Sequence, residues 1–183
     1  MKIDPYHIGG LAHKRSNPRK IIRDYQEKTQ FEVFIETGTY LGETIESVHK
    51  YFDKSYSIEL SEKLGARAKN KFLKESSINI YVGQSEKCLP EILNELNKPA
   101  IFWLDAHYSE GFTAKGPTDT AILSELDAIK SHSIKNHVIL IDDIRLFREE
   151  PYPGIDEVEK ILLEINSDYE IFIEDDIMHS FLK

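Results

Sequence analysis

Three aspartates stand directly after two of the most apolar segments of the chain, a place where carboxylates can do chemistry. Asp105 follows Ile101–Leu104, and Asp142 and Asp143 follow Val138–Ile141. If these segments are neighbouring strands, the three carboxylates open on one crevice and repel each other unless a cation joins them. An all-oxygen set of ligands suits a hard cation such as Mg²⁺. The pattern therefore predicts a magnesium site at these aspartates.

Two arginines near the second pair of aspartates offer an explanation without a metal. Arg145 or Arg148 could neutralise Asp142 or Asp143 as an ion pair. Aspartates after strands also cap the helices that follow them. The sequence leaves both explanations open.

His107 is a candidate base close to the first of these aspartates. A hydroxyl is a poor nucleophile until it loses its proton, and a bound cation would lower its pKa and fix its oxygen. An imidazole could accept that proton, because its ordinary pKa lies near neutrality. Asp105 and His107 are therefore the candidate catalytic residues, although a lone histidine is more often a structural hydrogen-bonding group.

A glycine turn follows the first predicted strand, and it could hold part of a ligand. Gly38 permits unusual backbone dihedrals, and Gly42 lets the next helix pack close to the strand. Thr39 and Thr44 place hydroxyls and exposed amides at a helix N-terminus, which favours an anion such as an amino-acid carboxylate. A plain strand-to-helix turn explains the same residues.

Tyr40 and Glu59 restrict the kind of ligand. Tyr40 occupies the place where a dinucleotide-binding turn has its second glycine, so a pyrophosphate is obstructed. Glu59 comes about 20 residues after Gly38, where a carboxylate binds both hydroxyls of a ribose. The alternative for Glu59 is a role next to the helix cap at Ser61. Together the two residues favour a nucleoside without pyrophosphate.

The elements that must position these residues alternate along the chain. Apolar, β-branched runs predict strands at residues 32–36, 55–59, 78–82, 101–104 and 138–141. Helical spacing predicts helices at residues 44–52, 62–73, 88–96, 120–130 and 155–166. This alternation is typical of an α/β, doubly wound parallel sheet. Residues 169–174 and 177–182 flank Asp175-Asp176 and predict a final antiparallel hairpin.

Composition favours one domain and disfavours several partners. The 183 residues suit a single core, and the formal net charge of −9 disfavours nucleic acid. No apolar run is long enough to span a bilayer, and the single cysteine agrees with a reducing cytoplasm. The first residues are basic, so we divide the chain into an N-terminal arm or helix at residues 1–30, a candidate lid, and a domain at residues 31–183.

With these features in place, the sequence resembles the class I S-adenosylmethionine-dependent methyltransferases from about Phe31 to Lys183. The spacing Glu36-x-Gly38-x-x-x-Gly42, followed by Thr44, is similar to the motif of the catechol O-methyltransferase branch and of macrocin-type sugar O-methyltransferases. The resemblance implies a Rossmann-like, mostly parallel seven-stranded sheet of order 3-2-1-4-5-7-6 with the C-terminal antiparallel hairpin.

The resemblance also implies which residues bind S-adenosylmethionine. Its methionine part would be surrounded by Glu36, Gly38, Thr39, Tyr40, Gly42 and Thr44, with Asp105 as a further contact. Its nucleoside would be held by Glu59 at the ribose, Leu60 on the adenine, and Ser85 and Glu86 at the adenine edge. Asp105, Asp142 and Asp143 match the metal positions of the metal-dependent O-methyltransferases.

The implied activity is methylation of a hydroxyl on a small acceptor, a sugar or metabolite, with Mg²⁺ as a candidate second cofactor. The catechol branch has a lysine soon after the first metal aspartate, but here the next lysine is Lys115, so the identity of the base stays open. Two alternatives remain: a domain of the same fold that binds the cofactor or a nucleoside without turnover, and a nicotinamide-dependent oxidoreductase, against which Tyr40 argues. We expect no nucleic-acid or membrane partner, and a second subunit is one way to complete the acceptor site.

Overall fold

The computed structural model describes residues 17–105, 121–148 and 152–183, which form one mixed sheet with helices on both faces. The α-helices of this part are α1 (Pro18–Thr29), α2 (Glu43–Val48), α3 (Glu62–Lys71), α4 (Ser85–Glu95), α5 (Ile122–Ser131) and α6 (Ile155–Ile165). The strands are β1 (Val33–Thr37), β2 (Lys54–Glu59), β3 (Ile78–Val82), β4 (Ile101–Leu104), β5 (Val138–Ile141), β6 (Glu170–Glu174) and β7 (Ile177–Phe181). Short 3-10 helices follow α2 at His49–Tyr51 and β5 at Ile144–Arg148.

The strand order is β3-β2-β1-β4-β5-β7-β6, which confirms the predicted order and the terminal hairpin. The first five strands of this order are parallel, whereas β7 runs antiparallel to both β5 and β6. Thr37, the last residue of β1, lies beside Ile58 of β2 and Leu104 of β4. The residues that follow β1, β2 and β4 therefore meet at one edge of the sheet, where ligands of such sheets bind.

Both faces of the central strands are covered, as their uniform apolar composition requires. All residues of β4 and β5 are buried. On one face, α4, α5 and α6 pack with Ile35, Phe102 and Ile139 in the larger core. On the other face, α1 packs with Phe34 and Trp103.

The described part of the predicted N-terminal arm is a helix that belongs to this core. Asn17 caps α1, because its side chain accepts a hydrogen bond from the amide of Lys20 at 3.1 Å. Ile22 and Tyr25 are buried against the sheet. Residues 1–16, which carry much of the predicted basic charge, lie outside the described residues.

Two helix boundaries differ from the sequence prediction by three or more residues. The predicted helix at residues 44–52 ends as an α-helix at Val48 and continues as a 3-10 turn. The helix α4 begins at Ser85, three residues earlier than predicted, with Glu86 in its first turn. Polar residues in a first turn add nothing to an apolar periodicity, so this start was hidden in the pattern.

A buried histidine lies at the opposite edge of the sheet from the strand ends just described. His137 has no exposed surface, and its Nδ1 accepts a hydrogen bond from the amide of Ala100 at 3.0 Å. Its Nε2 lies 3.2 Å from Nδ1 of His132, whose Nε2 lies 3.1 Å from the carbonyl oxygen of Leu96. This chain of contacts is consistent only with neutral His137 donating to His132, because Nδ1 of His137 already accepts. Burial lowers the pKa of His137 to about 3.

Among the helices in the described ranges, none combines the length and the apolar character needed to cross a membrane.

Candidate functional site

The glycine turn joins β1 to α2, and every second residue of the turn has a positive φ angle. The φ angles of Gly38, Tyr40 and Gly42 are 86°, 48° and 71°. The amides of Gly38 and Thr39 both donate to the carbonyl oxygen of Ile58, at 2.9 and 3.1 Å. The turn is therefore fixed to the end of β2, and Tyr40 holds a conformation that usually favours glycine.

Gly42 is required by its surroundings as well as by its φ angle. A Cβ atom at this position would lie 2.9 Å from Cε2 of Phe72, at the end of α3. The close approach is thus to an aromatic ring below the turn, rather than to the strand that the sequence suggested. The nearby Nζ of Lys71 donates to the carbonyl oxygen of Leu41 at 3.0 Å, which further fixes the turn.

Glu59 holds the turn from the end of β2. Its Oε2 accepts a hydrogen bond from the amide of Tyr40 at 2.7 Å, and its Oε1 accepts one from the amide of Ser61 at 2.8 Å. The residue is 4 % exposed. Each carboxylate oxygen has a second lone pair, so these two bonds leave acceptor capacity for ligand hydroxyls.

Glu36 lies beside Glu59 at the end of β1 and is 1 % exposed. Its Oε1 accepts a hydrogen bond from the hydroxyl of Ser57 at 2.6 Å. The Ser57 oxygen lies 2.5 Å from Oγ1 of Thr39 in the glycine turn. Burial raises the pKa of Glu36 to about 8, the Ser57 hydroxyl lowers it, and the carboxylates of Asp105 and Glu59 raise it further.

Glu125 is a second buried carboxyl group near the same strand end, on the other face of the sheet. It has no exposed surface, and its Oε2 lies 3.4 Å from the hydroxyl of Thr37, which donates to it. Its Oε1 has no well-formed hydrogen bond within the described part of the protein. Burial raises the pKa of Glu125 to about 7, the hydroxyls of Ser85 and Thr37 lower it, and the carboxylates of Glu86 and Asp105 raise it.

The predicted magnesium site finds no support in the described residues. Arg145 forms ion pairs with Asp143 and with Asp176, so one of the three predicted ligands is already neutralised by a cation. Within residues 17–105, 121–148 and 152–183, no group of three or more His, Cys, Asp or Glu side chains is arranged to hold a metal ion. These side chains fit the arginine alternative, and we assign no metal ion to them.

The carboxyl group of Asp142 is affected by the charges of both other aspartates. Its Oδ1 accepts a hydrogen bond from the amide of Asp143 at 2.9 Å. Burial raises the pKa of Asp142 to about 7, and the carboxylates of Asp105 and Asp143 raise it as well. The aspartates therefore do influence one another, as their positions after neighbouring strands predicted.

Three residues of this region were not predicted from the sequence. Ser57 carries the polar side of β2, and a signal existed, because Ser55, Ser57 and Glu59 alternate with apolar residues. Glu125 occupies the apolar face of α5 at helical spacing from Ile122, which marks a buried charge. Asp176 lies in the turn between β6 and β7. Because β7 runs antiparallel to β5, this turn lies beside the carboxyl end of β5.

Comparisons with known proteins identify the fold to which this sheet belongs. No protein-family model matches the sequence, and a search of curated proteins finds no relative. Solved structures do match: an O-methyltransferase from Bacillus cereus in complex with SAH is 16% identical, with a TM-score of 0.62, over 93% of this chain and 84% of that one. The O-methyltransferase TomG from Streptomyces achromogenes, involved in tomaymycin synthesis and in complex with SAM, is 16% identical, with a TM-score of 0.60, over 93% and 82%. The chain has the class I methyltransferase fold.

The class I methyltransferase fold also serves other acceptor atoms. The N-methyltransferase NodS from Bradyrhizobium japonicum, in complex with S-adenosyl-L-homocysteine, is 13% identical, with a TM-score of 0.57, over 98% of this chain and 91% of that one. The solved structures that share this fold therefore include methyltransferases for more than one kind of acceptor atom.

The other residues predicted to bind the cofactor lie at the starts of α2 and α4 and directly after β2. Thr44 is the second residue of α2 and is half-buried. Leu60 follows Glu59 and is half-buried, Ser85 is buried at the start of α4, and Glu86 beside it is half-buried. The predicted base His107 and the polar loop up to residue 120 lie outside the described residues.

Proposed function

We propose that this chain is an S-adenosylmethionine-dependent methyltransferase that acts on a hydroxyl of a small acceptor. The observation that carries the proposal is the bond from the Tyr40 amide to Glu59. In a dinucleotide site, the turn offers open backbone to a pyrophosphate. Here that amide is taken by the carboxylate, and Tyr40, which is 47% exposed, stands where a dinucleotide-binding turn has its second glycine. Both features favour a nucleoside ligand that has no diphosphate.

The charges of the described residues also support S-adenosylmethionine as the ligand. An acidic set lies at the carboxyl ends of β1, β2 and β4, and its members are Glu36, Glu59 and Asp105. Glu59 and Asp105 raise the pKa of Glu36, and Asp105 also raises that of Glu125 on the other face of the sheet. An acidic set favours a positively charged ligand. When bound, S-adenosylmethionine would supply a methyl group activated by a positively charged sulfur.

In the proposed reaction, each residue has a limited task. Glu59 would accept hydrogen bonds from the ribose hydroxyls, while its bonds to Tyr40 and Ser61 hold it in place. The acceptor hydroxyl would lose its proton as its oxygen bonds to the methyl carbon, while the carbon–sulfur bond breaks and S-adenosylhomocysteine leaves. His107 remains our predicted base for that proton. The proposed reaction includes no metal ion, since no three His, Cys, Asp or Glu side chains of the described part are arranged to hold one.

The choice of an oxygen acceptor rests on two supports. The sequence of the glycine turn resembles the O-methyltransferase branch, and two of the similar structures described above are O-methyltransferases. The acidic surroundings disfavour an anionic acceptor, so we propose a neutral or cationic one.

Calorimetry with S-adenosylmethionine, S-adenosylhomocysteine and NAD tests the cofactor. The proposal requires binding of the first two and none of NAD, whereas binding of NAD alone would establish the oxidoreductase alternative. A panel of sugars, phenols and hydroxylated metabolites, with S-adenosylhomocysteine release as the readout, tests the reaction. Binding of the cofactor without release across the panel would favour the non-catalytic binding domain.

A further inference from the structure

Glu36 lies near the end of β1, at the sheet edge where the proposed cationic ligand would bind, and its surroundings affect whether it is protonated. The carboxyl group is 1 % exposed and stands at the end of β1, directly before the glycine turn. A buried carboxylate is costly unless hydrogen bonds or a cation compensate its charge. The groups around it therefore decide whether it holds a proton.

A chain of hydroxyls connects Glu36 to the turn. Ser57 donates its proton to Oε1 of Glu36 at 2.6 Å, so the 2.5 Å contact between Thr39 and Ser57 must use the Thr39 proton. Thr39 is 4 % exposed and Ser57 has no exposed surface. Two hydroxyl protons thus point toward the carboxyl group, which prepares it to carry a negative charge once a cation is near.

Among the residues that the structure describes, the charged groups that act on Glu36 are carboxylates. Glu59 faces it from β2, and Asp105 faces it from the end of β4. Glu125, on the opposite face of the sheet, is itself affected by Glu86 and Asp105. Burial, together with the carboxylates of Asp105 and Glu59, raises the pKa of Glu36 to about 8, so the group is mostly protonated near neutral pH.

We propose that Glu36 gives up a proton when S-adenosylmethionine binds, so that binding of this cationic ligand is coupled to proton release from the Thr39–Ser57–Glu36 chain. The inference rests on the proposed function. A positive charge beside Glu36 would favour its ionised form, and the two hydroxyls would then stabilise that form. By linkage, affinity for the cation rises as the pH rises toward 8 and levels off above it.

The test is calorimetry of the wild-type chain with S-adenosylmethionine at pH 7.5, in buffers of different ionisation enthalpy. At this pH Glu36 is mostly protonated, while Glu125 and Asp142, with pKa values of about 7, are mostly ionised. We expect release of about half a proton to one proton per ligand bound. Adenosine has the same base and ribose without the positive charge, and it should release none.

Variants identify the source of the proton. Glu36→Gln resembles the protonated acid in shape, so it should bind the ligand while proton release falls by at least half. Glu46→Gln is the matched control, because Glu46 is an exposed carboxylate on α2 that pairs with Lys71 at 2.8 Å. Its proton count should equal that of the wild-type chain.

The outcomes separate this inference from the proposed function. Absence of S-adenosylmethionine binding would overturn both. Wild-type binding with no proton release, or equal release with adenosine, would overturn the coupling alone, even if Glu36→Gln fails to fold. Undiminished release in a folded Glu36→Gln variant would show that the proton comes from elsewhere.

Discussion

Replacement of Glu59 by glutamine should damage both the glycine turn and the ligand site. The carboxylate accepts the amides of Tyr40 and Ser61 at 2.7 and 2.8 Å, one on each oxygen. Glutamine has a single acceptor oxygen, so in either orientation one backbone N–H faces a side-chain N–H. Glu59→Gln therefore loses a hydrogen bond to a charged group inside a site that is 4 % exposed.

The magnitude follows from that lost bond. A hydrogen bond to a charged group contributes roughly 1.5–3 kcal/mol, and we expect the free energy of unfolding to fall by about that amount. The neutral amide also accepts more weakly from ribose hydroxyls. A second loss of similar size in binding would raise the Kd for S-adenosylhomocysteine roughly 10- to 150-fold.

Urea unfolding measures the first effect, and calorimetry with S-adenosylhomocysteine measures the second. Glu62→Gln is a suitable control, because Glu62 is an exposed residue at the start of α3, close in sequence to Glu59. Its Kd should remain near that of the wild-type chain. A Glu59→Gln variant that is folded and binds within about threefold of wild type would refute the role given to this carboxylate.

Three further predictions concern other parts of the fold. In the unfolded chain His137 takes up a proton as the pH falls below its ordinary pKa of 6.5, whereas in the folded chain it does so only near pH 3. The free energy of unfolding of the wild-type chain therefore falls by about 1.4 kcal/mol per pH unit below pH 6.5. The stability gap between wild type and His137→Asn should thus narrow by about 2 kcal/mol from pH 7.5 to pH 5 in urea unfolding, and parallel curves would contradict this. Gly65→Ala places a Cβ atom 2.5 Å from Cγ2 of Val82, and should lower the free energy of unfolding by about 1–3 kcal/mol in the same measurement. Tyr40→Gly relieves a positive φ of 48° but leaves the amide with Glu59, so calorimetry should still detect no NAD binding.

The strands could be predicted from the sequence because their apolar runs are unambiguous. β3, β4 and β5 have the predicted bounds, and the strand order follows from alternation together with the resemblance. The start of α4 at Ser85 could not be predicted from periodicity, because its first residues are polar and add nothing to an apolar pattern.

The site was partly predictable for a similar reason. Residues after parallel strands must meet at one edge, so Glu59 and the glycine turn could be placed from spacing alone. Their partners could not: the contact of Ser57 with Glu36 depends on the register of two strands, and the pairing of Arg145 with Asp176 depends on a turn distant in sequence. The three aspartates were compatible with a metal or an arginine, and only geometry distinguishes the two.

The position of β7 between β5 and β6 determines when the sheet can be completed as the chain folds during synthesis. β6 precedes β7 in synthesis, yet β6 contacts no other described strand of the sheet. A nascent chain that has exposed β6 but not β7 therefore presents a strand with no docking partner, beside a β5 edge that is still open. Completion of the sheet, and arrival of Asp176 beside Arg145, must wait until the hairpin has left the exit tunnel.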